Sequence, residues 1–170
     1  ECRIPVYVNR NYFLPAFADE KTLVIISSYS GNTEESLSSY EDAKTKNCRI
    51  ICVSSGGKLS AMAAGDGYLL VSVPGGYQPR CALAYSFIPM LYIFIALELI
   101  TDRRGEINNV IDYISFRGNI YGNLIDVNNP AIIKAPPSKW SMGIAVLNHS
   151  KRLSKELSAN IWSSKMLLCI

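Results

Sequence analysis

Apolar residues cluster in short unbroken runs along the first half of the chain, and amphipathic segments separate them. Leu23-Val24-Ile25-Ile26, Arg49-Ile50-Ile51-Cys52-Val53 and Tyr68-Leu69-Leu70-Val71-Ser72-Val73 each have strand length. A strand with one wet face alternates apolar and polar residues, so a run apolar throughout predicts a strand covered on both faces, as in a parallel sheet. Val6 to Val8 is a briefer extended start. Between the first two runs, Leu37, Tyr40 and Ala43 fall on one face of a helix predicted over Thr33 to Lys46. Asn32 is placed to cap it, with Glu35 three positions on as a capping box requires. Glu34 and Glu35 suit the positive end of the helix dipole, Lys44 and Lys46 the negative end, and Asn47 can close it.

A second helix is expected from Leu59 to Ala64, ended by Gly65, and a third after Arg80, kinked near Pro89. Strand–helix alternation implies parallel strands joined by right-handed crossovers, the α/β class. After Thr101 the pattern changes. Ile107 to Ile114 can form a helix, Asn128-Asn129-Pro130 and Pro136-Pro137 read as linker, and Gly143 to Leu147 reads as a new strand followed by a helix from Lys151 to Trp162. The expected division is one α/β domain over 1–118, a linker over 119–139, and the opening of a second α/β unit over 140–170. No initiator Met is present. The first strand of the sheet is expected to be missing with the start of the chain, leaving an exposed edge.

Composition narrows the possibilities. Of 170 residues, 49% are apolar, enough for a real core. The net charge of +3 is spread without a basic stripe, which argues against tracking a nucleic-acid backbone. No signal peptide is expected at the start. Cys2, Cys48, Cys52, Cys81 and Cys169 form no Cys-x-x-Cys pair. They read as reduced thiols of a cytoplasmic protein, not as zinc ligands, with Cys48 and Cys52 on one strand face. Cys81 to Ile100 is apolar but for Glu98, long enough for a membrane span by length alone. Pro89 within it, Glu98 near its end and symmetric flanking arginines argue against a membrane.

Three loops carry candidate chemistry, each at the carboxyl end of an expected strand, where parallel sheets bind ligands. Ser28-Tyr29-Ser30-Gly31-Asn32-Thr33 offers the hydroxyls of Ser28, Ser30 and Thr33, a glycine for close approach, and the free amides of a helix start. That set suits a phosphate dianion. The loop lacks the Lys of a nucleotide P-loop, which argues against ATP hydrolysis. A plain turn that caps its helix would need only one of these hydroxyls, so that reading stays open. Ser54-Ser55-Gly56-Gly57 stands in the equivalent place after the next strand, either shaping the pocket or serving as a simple turn. Pro74-Gly75-Gly76-Tyr77-Gln78-Pro79-Arg80 is stiff and brings Arg80 to the same edge, where it either stabilises an enediolate or pairs structurally. His149, the only histidine, has no fixed partner in the sequence.

The segment Thr22 to Leu37, the stretch Ser54 to Leu59, the loop Pro74 to Arg80 and the upstream Ile4 to Pro15 together resemble the sugar isomerase (SIS) domain of bifunctional phosphoglucose/phosphomannose isomerases. The resemblance runs from about Ile4 to Leu99. It implies a flavodoxin-like parallel sheet flanked by helices, two such domains in a homodimer, and no metal or organic cofactor. It implies interconversion of glucose 6-phosphate or mannose 6-phosphate with fructose 6-phosphate through an enediolate. Ser28, Ser30 and Thr33 match the family's phosphate ligands, and Arg80 its enediolate-stabilising arginine. The family's general base is a Glu in an Asn-Glu-Asn stretch. The comparable region here, Ser158 to Met166, contains no Glu, and neither Glu156 nor His149 inherits a catalytic role. Two functions therefore stand: an isomerase of sugar 6-phosphates, or a non-catalytic module that binds a phosphosugar.

Overall fold

The computed structural model describes residues 2–78, 82–123 and 165–169. In chain order the elements are β1 (Val6–Asn9), β2 (Thr22–Ser27), α1 (Glu34–Thr45), β3 (Arg49–Ser54), α2 (Gly57–Asp66), β4 (Leu69–Ser72), α3 (Leu83–Ala96), α4 (Arg104–Asn123) and β5 (Lys165–Cys169). The five strands form one sheet in the spatial order β1-β5-β2-β3-β4, and all neighbours run parallel.

The unbroken apolar runs are explained by what covers them. Alternate residues of β2, β3 and β5 point to opposite faces. Val24, Ile26, Ile50, Cys52 and Leu167 face one cluster with Tyr40, Ala43, Leu59 and Ala63 of α1 and α2. Leu23, Ile25, Ile51, Val53, Met166 and Leu168 face another with Tyr85 and Ile93 of α3. The sheet is thus buried on both sides. A third cluster, Tyr92, Ile95 and Ile107, joins α3 to α4. Phe87, Leu91, Ile107, Val110 and Ile111 line an apolar cleft of about 470 Å³ between those helices. The apolar run after Arg80 forms a helix of 14 residues with Pro89 inside it. Among the described residues no helix is long and apolar enough to cross a membrane.

Three local expectations are revised. Asn32 does not cap α1: the cap is Thr33, without a side-chain cap bond. The Thr33 hydroxyl is committed to Ser28, and the Asn32 carboxamide to the next loop. The second helix extends past Gly65 to Asp66, and Gly67, at φ +76°, ends it. The helix expected over Ile107 to Ile114 runs from Arg104 to Asn123.

The last five described residues are the largest departure. The sequence pattern places Lys165–Cys169 within a second unit over 140–170. In the structure they lie in the middle of this sheet, paired with β1 on one side and β2 on the other. Their start is tied down by Lys165, whose ammonium meets the Asp19 carboxylate at 3.0 Å. Flavodoxin-like sheets have the order 2-1-3-4-5. The observed order matches that arrangement with the position of a first strand taken by the last. The first residues of the expected linker over 119–139 belong to α4, which runs to Asn123; the rest of it and the expected strand and helix between residues 140 and 164 lie outside the described residues, as do His149 and Glu156.

Tyr40 shows how one face is closed. Its ring is buried against the sheet, and its hydroxyl donates to Asp66 Oδ2 at 2.6 Å, an atom that also takes Lys44 Nζ at 2.6 Å. The Lys44 hydrogen bond, then that of Tyr40, holds the Asp66 carboxyl below its usual value. A carboxyl with a lowered folded pKa stabilises above its unfolded value of about 4 and loses that contribution as pH falls through the folded one. Tyr40→Phe is therefore expected to lower the melting temperature at pH 7 by roughly 3 °C. The gap between variant and parent should narrow below about pH 4 as the acceptor is neutralised. Melts run from pH 7 to pH 3 check this, and a gap indifferent to pH would mean that the carboxylate is not the acceptor that matters.

Candidate functional site

In a parallel sheet ligands bind at the carboxyl ends of the strands, and the loop leaving β2 stands there between the ends of β5 and β3. Ser28 continues the line of β2, its amide donating to Val53 O of β3 at 3.0 Å. The chain then turns, with Gly31 N on Ser28 O at 3.1 Å. The turn brings the Ser28 and Thr33 hydroxyls to 2.8 Å from each other. One of them donates to the other, so the acceptor keeps a hydrogen to offer elsewhere. Ser28 is buried, whereas Ser30, Asn32 and Thr33 are exposed. The Ser30 hydroxyl accepts from Asn32 N at 3.3 Å, a local turn bond on the same loop. Of the three hydroxyls expected to hold an anion, two are in direct contact and the third stands on the exposed side of the loop.

The β3 loop is locked onto this one. Lys58 N donates to Asn32 Oδ1 at 3.0 Å, and Leu59 N to Gly31 O at 2.9 Å. Ser55 gives both its amide, at 3.0 Å, and its hydroxyl, at 2.5 Å, to Tyr29 O. Backbones this close leave no room for side chains. A Cβ on Gly31 would lie 1.8 Å from Gly56 O, and one on Gly57 would lie 2.4 Å from Ser30 O. Both glycines also have positive φ, +67° and +71°. The glycines are required by the contact between loops as much as by the turns themselves. Ser54-Ser55-Gly56-Gly57 is therefore the second wall of the loop cluster, not an isolated turn.

The β4 loop joins through one side chain. The Tyr29 hydroxyl donates to Pro74 O and accepts from Tyr77 N, each at 3.0 Å. Tyr77 stacks on Tyr85 of α3 with ring centroids 5.2 Å apart. Burial, reinforced by the hydrogen bond with Tyr77, pushes the Tyr85 phenol up to about 12, so it stays protonated. Arg80 lies outside the described residues. On the other flank, the charge of Glu35 raises the Tyr12 phenol, which places Tyr12 beside the first turn of α1.

Sequence reasoning named the hydroxyls and missed the residues that hold them. Tyr29, Asn32 and Ser55 do the bracing. The available signal was a polar or aromatic residue inside a loop already rich in donors. The buried thiols of Cys48 and Cys52 play no part in the site. Burial raises Cys48 to about 11 and Cys52 to about 12, which leaves both inert as nucleophiles. Among the described residues no group of three or more His, Cys, Asp or Glu is arranged to hold a metal.

An all-parallel sheet in doubly wound order, with interlocked serine- and glycine-bearing loops at its carboxyl edge, defines an α/β module of the flavodoxin-like, sugar-isomerase type. Its relatives point the same way. The chain is 53% identical over 115 residues to a bifunctional phosphoglucose/phosphomannose isomerase of Caldicellulosiruptor bescii, a match covering 68% of this chain and 34% of that protein. It is 32% identical over 133 residues to the protein of the same name from Aquifex aeolicus, covering 78% of this chain and 42% of the relative. A D-glucosamine-6-phosphate 4-epimerase of Sulfolobus acidocaldarius matches at 38% over 97 residues, 56% of this chain and 31% of the relative. No family model matches the chain, and no solved structure matches it significantly. The resemblance to the bifunctional phosphoglucose/phosphomannose isomerases is thereby shown over the matched residues. The chain spans between a third and less than half of the length of these isomerases.

Proposed function

We propose that the Ser28–Thr33 loop binds the phosphate of a sugar 6-phosphate, and that the protein serves an aldose–ketose isomerase of such sugars. The observation that carries this reading is the pair of hydroxyls at 2.8 Å, set between a buried strand and a helix start. A phosphate dianion takes the hydrogen that the accepting hydroxyl of the pair keeps, together with the free amides of the first helical turn. The relatives' names support the ligand class: the isomerases and the epimerase are each named for a phosphorylated hexose. The reaction would interconvert glucose 6-phosphate or mannose 6-phosphate with fructose 6-phosphate by moving a proton between C1 and C2. The enediolate that forms carries negative charge, and Arg80 is the proposed group to stabilise it. A homodimer, a cytoplasmic location and a place in carbohydrate metabolism follow from the same reading.

One sequence observation favours a second reading, a phosphosugar-binding module without turnover. Ser158 to Met166 contains no Glu to act as the base. An assay of fructose 6-phosphate conversion separates the two. The isomerase reading predicts aldose 6-phosphate as product and a fall of about a hundredfold or more on Arg80→Ala. The binding reading predicts thermal stabilisation by fructose 6-phosphate and no product.

A further inference from the structure

Tyr29 stands between two of the proposed phosphate ligands in sequence, yet its side chain leaves their loop. Its ring packs with the α3-side cluster, and its hydroxyl lies between Pro74 O and Tyr77 N. One oxygen thus acts as donor to one backbone group and acceptor from another, which no apolar ring can replace. Its carbonyl is held by two bonds from Ser55. A single residue therefore spans all three loops at the carboxyl edge. Two of the contacts are backbone to backbone or hydroxyl to backbone over the Ser28–Thr33 and Ser54–Gly57 walls. The Pro74–Tyr77 turn contains Gly75 and Gly76, the latter at φ +87° with open space around it, and Tyr77 stacks on Tyr85 at its far end.

We infer that Tyr29 is a positioning residue that couples occupancy of the anion loop to the conformation of the Pro74–Tyr77 turn. The inference rests on the phosphosugar reading of Ser28–Thr33. When an anion draws in the Ser28 and Thr33 hydroxyls, the backbone at Tyr29 is fixed between them. The phenol then has less freedom, and the two bonds at its tip open less often. The turn is ordered by a ligand that does not touch it, because both share one side chain.

Backbone hydrogen exchange on the full chain, with and without saturating fructose 6-phosphate, tests this. In the parent protein the sugar phosphate should slow exchange at the Gly31–Thr33 amides, and should slow the Tyr77 amide by about fivefold or more. Tyr29→Phe keeps the ring and removes both bonds. It should leave the protection at Gly31–Thr33 and bring the ligand effect at Tyr77 to about onefold, that is, no effect. Tyr77→Phe keeps the amide donor and should preserve the coupling. A purely structural Tyr29 would speed Tyr77 exchange equally with and without ligand, leaving the ratio unchanged in Tyr29→Phe, and that result overturns the inference. Protection of Gly31–Thr33 without any at Tyr77 in the parent overturns it as well. Failure of fructose 6-phosphate to protect either loop removes the phosphosugar reading and the coupling together.

Discussion

Gly31→Ala is expected to lower the melting temperature by about 10 °C and to abolish phosphosugar binding. The added methyl would sit 1.8 Å from Gly56 O, 2.8 Å from Ser54 Oγ and 2.9 Å from Gly56 C, and two of those three atoms are backbone. The Ser54 hydroxyl could rotate aside, but the two backbone atoms of Gly56 cannot. The residue also holds φ +67°, which costs an L-residue roughly 1–2 kcal/mol before any clash is counted. Relief requires the β2 and β3 loops to part. That breaks Lys58 N to Asn32 and Leu59 N to Gly31, the bonds that shape the anion loop. Gly65→Ala is the contrasting case. Gly65 lies inside α2 with nothing near its missing Cβ, so alanine should raise the melting temperature by about 2 °C through its better helix propensity. Thermal melts of the two variants side by side check the claim. A Gly31→Ala protein that melts with the parent would show that the loops are not in contact.

The second large effect is expected at Leu167, because β5 is a structural strand and not a loose end. Leu167 is fully buried, paired in register with Tyr7 on one side and Val24 on the other. Leu167→Ala should cost about 2–5 kcal/mol, the range for deleting a leucine from a packed core. Leu83→Ala, at a side chain 74% exposed, should change stability by less than about 0.5 kcal/mol. Urea denaturation measures both. A near-silent Leu167→Ala would place Lys165–Cys169 outside the sheet and leave β1 and β2 without the strand that joins them. β5 meets strands some 140 to 160 positions earlier in the chain, as Val24↔Leu167 and Val6↔Met166 show, so its docking is a non-local contact that carries a large loop-closure cost.

These residues also show where sequence reading succeeds. β2, β3 and β4 were legible because unbroken apolar runs of strand length have few other homes, and α1 because its apolar spacing is helical. Met166-Leu167-Leu168-Cys169 was not. It is an unbroken apolar run like the others, but its four residues include none that is β-branched, and periodicity alone does not tell such a run from a buried helix segment. Its state is decided by the slot between β1 and β2, which is information held far away in the chain. The cap of α1 failed in the opposite way. Asn32 and Glu35 satisfy the local rule, but Asn32 gains more by receiving Lys58 N across the loops. At the candidate site the donors were legible as types at one strand end. The interlocking was not, since a clash between Gly31 and Gly56 exists only once two separate loops are folded together.

The most direct test of the account is a titration of the full chain with fructose 6-phosphate, followed by amide chemical shifts, with fructose as the control. The account predicts saturable shifts at Ser28 to Thr33 for the sugar phosphate and none there for fructose, with the response lost in Ser28→Ala/Thr33→Val. Equal shifts from fructose, or a sugar-phosphate response confined to residues away from that loop, would contradict it.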